Sequence, residues 1–147
     1  LKTKKYIIKG FIKKYDDNYC LLYKSLFKKD TLEYLKKNNF LGIITNKRSI
    51  PTKKILKKSK MEKIFDFVIC SDTFSKKNTK KDNYLLIKKV YSRYQKNLKT
   101  FYIGDTKGDL NFSKNAGLTF IGIQFTERLP MGNYQLIKSI DDLKNLF

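Results

Sequence analysis

The residues best placed to do chemistry are Gly104-Asp105-Thr106-Lys107-Gly108-Asp109, which directly follow the apolar run 100–103. A glycine at the end of a strand lets the chain turn sharply. Asp105 then faces the side of a sheet where ligands gather, and Asp109 lies four residues on, at the start of a helix. Two carboxylates so spaced can hold a hard cation such as Mg²⁺, which needs few protein oxygens beside water and phosphate. The same residues also read as a tight turn and a helix cap, both common roles for Asp. A second group is Thr45-Asn46, after the apolar run 40–44. A hydroxyl and free N–H groups leading into a helix make a phosphate contact, or simply start the helix. Between the two lie Lys76, Lys77, Lys80 and Lys81. A lysine opening a helix beside the sheet can neutralise a phosphoryl group; in so lysine-rich a chain most of the four are solvated loop residues.

These side chains need a scaffold, and the hydrophobic pattern supplies one. Residues 4–24 carry apolar positions at helical spacing, with a break near Asp16-Asp17-Asn18. Asp30 is expected to cap a helix over 31–38. Runs 40–44, 65–70, 100–103 and 118–123 read as buried strands, and 135–137 as a last, edge strand. Helices are expected from about 49 to 58, with Pro51 in the first turn, from 82 or 83 to 94, and over 110–115. Ala116-Gly117 ends the third, and Ser139 caps a closing helix over 140–146. Strands alternating with helices imply a parallel sheet with right-handed crossovers, whose ligands sit beyond the carboxyl ends of the strands. Three such ends are polar: Thr45-Asn46, Asp72-Thr73 and Gly104-Asp105.

Composition narrows the chemistry. The 147 residues fit one domain with a real core. There is no His, which excludes His-based triads and His-ligated zinc and leaves acid–base work to carboxylates, Lys or Tyr. Cys20 and Cys70 have no metal-binding spacing and read as buried free thiols. The net charge of +20 invites a nucleic-acid reading. Against it, only Arg48, Arg93 and Arg128 are arginines among 33 basic residues, and the lysines are scattered along the whole chain. Solvated helix faces explain them, with weak attraction to polyanions at low salt and no specific nucleic-acid partner. No apolar run has the length of a membrane span and no signal-peptide pattern is present, so a cytoplasmic location without membrane contact is expected.

The order of the motifs resembles the haloacid dehalogenase superfamily, in its phosphoglycolate phosphatase-like branch. Leu41-Gly42-Ile43-Ile44-Thr45-Asn46-Lys47 is similar to that branch's second motif, and Tyr102-Ile103-Gly104-Asp105-Thr106-Lys107-Gly108-Asp109 to its fourth. Phe65-Asp66-Phe67-Val68-Ile69 and the run from Ala116 to Ile123 are similar to the strands that follow each. The resemblance implies a three-layer Rossmann-like α/β core with a parallel sheet over 26–147, and a remnant of a helical cap over 1–25. It implies a Mg²⁺-dependent phosphatase acting on a small phosphorylated metabolite. Thr45 would hydrogen-bond the transferring phosphoryl oxygen and Asn46 would help through its backbone. Asp105 would ligate Mg²⁺, while Asp109 would support the metal shell or orient the motif-three lysine. Spacing favours Lys80 for that lysine, with Lys77 or Lys81 as alternatives; the family's Lys-Pro pair is absent. The family's nucleophile, an Asp-x-Asp at the end of a first strand, is matched neither by Asp16-Asp17 nor by Asp72. The chain therefore reads as an N-terminally truncated and inactive piece of a phosphatase. The competing reading is a non-catalytic phosphate- or polyanion-binding module or a degenerate relative. A receiver-type phosphoacceptor domain would place its acidic residues before Thr45 and Lys80, the reverse of the order here.

Overall fold

The computed structural model describes residues 28–73, 85, 99–124 and 129–147. The helical pattern of 4–24, Cys20, the four loop lysines and the helix expected over 82–94 lie largely outside these residues, as does the proposed 1–25 cap remnant. The described chain runs α1 (Lys29–Lys36), β1 (Gly42–Ile44), α2 (Ser49–Lys58), β2 (Phe67–Ile69), β3 (Phe101–Gly104), α3 (Lys107–Ala116), β4 (Thr119–Ile123), β5 (Gln135–Ile137) and a closing 3₁₀ helix (Ile140–Asn145). None of the described helices is long and apolar enough to cross a membrane.

Local chemistry explains most boundaries. Thr106 caps α3 by accepting from the Asp109 N–H, so the helix starts three residues before the expected 110. Gly117, at φ 67, takes the left-handed conformation that closes it, as its type predicts. Ser139 and Asp142 form a reciprocal capping box at the closing helix, which is 3₁₀ rather than α. α1 departs from expectation. Its cap is Lys28 and Asp30 sits in the first turn, where its charge favours the helix dipole. The start is drawn back by tertiary contacts, because Lys28 and the fully buried Thr31 both engage Asp141 of the closing helix.

The strands pair in parallel, in two groups. β1 lies beside β2 with Ile43 opposite Val68, while β3, β4 and β5 form a second set with Ile103 opposite Ile121 and Ile123 opposite Ile137. Shared helices join the groups. On α1, Leu32 packs with Leu56, Met61 and Ile64 against Ile43 and Val68, and Leu35 packs with Ile121, Ile123, Ile137, Ile140 and Leu143. Phe112 and Ala116 of α3 receive both Ile44 of β1 and Tyr102 of β3. Leu41 and Phe101, at the starts of the same two strands, both pack against the Leu35 cluster.

Between β1 and β3 the ladder is interrupted among the described residues. The Leu41 carbonyl accepts from the Asp66 N–H and the Thr45 N–H donates to the Ile69 carbonyl. Residues of a parallel strand alternate in the edge they address, so Gly42 and Ile44 point away from β2. By the same rule, the Thr119 N–H to Thr100 carbonyl bond leaves Phe101 and Ile103 pointing away from β4. Ile103, inside a strand, is 37% exposed, whereas its neighbour Ile121 on β4 is 1% exposed.

Candidate functional site

The carboxyl ends of β1, β2 and β3 carry the polar residues that the sequence marks. Thr45 leaves β1 half-buried, with its Oγ1 accepting from the Lys47 N–H at 3.1 Å. That bond uses an oxygen lone pair and leaves the hydroxyl proton to be donated elsewhere. Asn46 is exposed. The loop is fixed to its neighbour, since the Ser71 N–H donates to the Lys47 carbonyl at 3.0 Å. Asp72 accepts from the Ser49 N–H at 2.7 Å and from the Ser49 hydroxyl at 3.0 Å. Its carboxylate therefore does for α2 what the Arg48 side chain, at the N-cap, does not. The Cys70 N–H donates to Thr73 Oγ1 at 2.7 Å, and the Cys70 thiol is free and buried as expected.

Asp105 is half-buried, just past the end of β3. Gly104 precedes it, but not for the turn that its type suggests: among described glycines only Gly117 has positive φ. Space is the reason. A Cβ on Gly104 would lie 2.4 Å from Asp109 Cβ and 2.8 Å from its Cγ. The strand end and the first turn of α3 thus touch backbone against side chain. Asp109 is held there: Tyr102 donates to Oδ1 at 3.0 Å, and Thr106 Oγ1 donates to Oδ2 at 2.7 Å. Burial first, and then the Asp109 charge, push the Tyr102 phenol well above its ordinary range, so it remains a protonated donor.

Asp105 and Asp109 bracket one turn, while Thr45 ends a strand whose Ile44 shares the Phe112–Ala116 contact with Tyr102. Lys77, Lys80 and Lys81 lie outside the described residues. Sequence reasoning missed the partnership of Tyr102 and Thr106 with Asp109. The Thr-x-x-Asp spacing was the available signal for the second, being a capping-box pattern; the Tyr102 contact spans a strand and a turn and leaves no such trace. Among the described residues no three His, Cys, Asp or Glu gather as a metal cluster. Two carboxylates are nonetheless a sufficient protein share for Mg²⁺, which keeps water and phosphate oxygens in its shell.

The described residues form a parallel α/β core with Thr45 following the end of β1 and Gly104-Asp105 at the end of β3. Residues 2–123 match the family model described as haloacid dehalogenase-like hydrolase, and the chain belongs to that family. Among solved structures, a predicted phosphoglycolate phosphatase from Haemophilus somnus superposes with a TM-score of 0.77 at 18% identity, over 97% of this chain and 65% of that one. A HAD-superfamily hydrolase of subfamily IA from Geobacter sulfurreducens gives 0.64 at 19% identity, over 81% and 58%. A HAD hydrolase from Bacillus subtilis bound to magnesium gives 0.61 at 22% identity, over 80% and 53%. The chain thus spans between 53% and 65% of the length of these three. No curated protein matches the sequence.

Proposed function

We propose that this chain is the core portion of a Mg²⁺-dependent phosphomonoester hydrolase for a small phosphorylated metabolite, and that on its own it is inactive. The observation that carries the reading is the placement of Thr45 after β1 and of Gly104-Asp105 at the end of β3, two strands whose Ile44 and Tyr102 pack on the same Phe112–Ala116 contact. Among the described residues the ladder is interrupted between these strands, and Gly42, Ile44, Phe101 and Ile103 address the interval with their backbone groups. A strand ending in a carboxylate and lying between β1 and β3 would complete the sheet and bring the nucleophile between Thr45 and Asp105.

Each residue then has a task. The Thr45 hydroxyl donates to a phosphoryl oxygen, and Asn46 helps through its backbone N–H. Asp105 holds Mg²⁺, with Asp109 behind it. The ion supplies charge neutralisation at the phosphoryl oxygens. Lys80, or its alternatives Lys77 and Lys81, balances the remaining negative charge.

The test compares this chain with a longer protein that includes the residues encoded upstream of Leu1, using p-nitrophenyl phosphate with Mg²⁺ or with EDTA. The longer protein turns over substrate only with Mg²⁺, Asp105→Asn and Thr45→Val each lower kcat at least about a hundredfold, and the short chain is silent. Turnover by the short chain, or a longer protein indifferent to Asp105→Asn, defeats the reading.

A further inference from the structure

Tyr102 carries a hydroxyl that neither the core nor the proposed chemistry requires. Its ring packs edge-on against Phe112, with centroids 4.7 Å apart and planes at 62°. A phenylalanine would fill that place equally well. The hydroxyl goes instead to Asp109 Oδ1 at 3.0 Å, while Thr106 donates to Oδ2 at 2.7 Å. Behind Asp109, Gly104 leaves no room: the Cβ atom that it lacks would stand 2.4 Å from Asp109 Cβ. The carboxylate is therefore fixed at three points: one hydroxyl on each oxygen and the strand backbone against its stem.

A carboxylate in the first turn of a helix otherwise samples more than one rotamer. A carboxylate oxygen can accept more than one hydrogen bond, so an Asp anchored through both oxygens can also accept from, or ligate, a further group in one set direction. We propose that Tyr102 is a positioning residue: with Thr106 it fixes the Asp109 carboxylate in a single orientation beside Asp105, so that the two carboxylates present a preset pair to a divalent cation. This inference rests on the metal-site reading above. Tyr102 acts on the site through its hydrogen bond to Asp109.

The test uses the full 147-residue chain, isotope-labelled, with Tyr102→Phe, Thr106→Val and Thr106→Ser. Three-bond couplings to Asp109 Cγ report its χ1. In the wild type and in Thr106→Ser they give one rotamer; in Tyr102→Phe and Thr106→Val they average, while circular dichroism shows all four chains folded. Paramagnetic broadening by Mn²⁺ then follows the amides of 105–109, and Tyr102→Phe weakens the apparent Mn²⁺ affinity about tenfold, the usual scale for a group behind a metal ligand. A purely structural hydroxyl moves neither readout. Unchanged Asp109 couplings in Tyr102→Phe overturn the proposal. Were that variant not to fold, averaged couplings in the wild type would overturn the proposal, and a single rotamer lost in Thr106→Val would support it. If the couplings respond as expected but Mn²⁺ broadens nothing in the wild type, the positioning of Asp109 stands and the metal reading falls.

Discussion

Replacing Gly104 by alanine tests the closest contact in the candidate site. The added Cβ would stand 2.4 Å from Asp109 Cβ, against the 3.5–4.0 Å or so at which carbon atoms rest. The obstructing atom is no flexible chain end; it is attached to the backbone of the first turn of α3. Relief therefore requires the strand end and the helix to part by about 1 Å. Overpacking of this kind costs about 1–3 kcal/mol, and the displaced Asp109 also loses hydrogen bonds worth about 1 kcal/mol each. A total near 3 kcal/mol corresponds to a fall of about 6–12 °C in Tm for a chain of this size. Gly108→Ala is the matched control, because among the described residues its Cβ would meet only Thr106 Oγ1, at 3.5 Å. In the first turn of a helix that change stabilises by up to about 1 kcal/mol through propensity alone. Urea and thermal unfolding of the two variants should thus shift in opposite directions. A Gly104→Ala chain within about 0.5 kcal/mol of wild type, the range of an inconsequential surface change, would refute the contact.

Other perturbations probe the frame. Leu143 is 1% exposed amid Ile121, Ile123, Ile137 and Ile140, so Leu143→Ala should cost about 2–5 kcal/mol in urea unfolding. Asp72→Ala removes the acceptor of the Ser49 N–H. It should cost about 0.5–2 kcal/mol and speed Ser49 amide exchange, whereas Asp72→Asn, which keeps an oxygen, should lose less. The Asp141 carboxyl is held below its ordinary range, first by the hydrogen bond from Lys28 and then by that from Thr31. A depressed folded-state value means that the stabilisation is present above the unfolded carboxylate range, near about pH 4, and is lost as pH falls through the folded value. Asp141→Asn should flatten the acid limb of a Tm–pH profile; an unaltered limb would rule the linkage out.

Much of the frame was legible because its signals are local. Apolar runs that end in polar residues marked β1, β3 and β4, and Gly117 and Ser139 marked helix ends by backbone and capping chemistry that needs no distant partner. Where a distant partner intervened, the reading slipped. Asp30 has the right type for a cap, but Asp141, some 110 positions on, binds Thr31 and moves the helix start. Gly104 has the right type for a turn, yet it is there to admit Asp109.

The acidic pair itself shows the division most plainly. Sequence alone determined that Asp105 and Asp109 share a strand-to-helix turn, because four residues across a strand end and a first helical turn can do little else. It also determined that His plays no part, and that motifs resembling those of the haloacid dehalogenase family occur in order. Only the tertiary structure decided that Asp109 is gripped by Tyr102 and Thr106, that Asp72 is spent on capping α2, and that β1 and β3 face an interval no described strand fills. Those outcomes depend on which edges and side chains meet across the fold, and hydrophobic periodicity specifies that a face is buried, not what it is buried against.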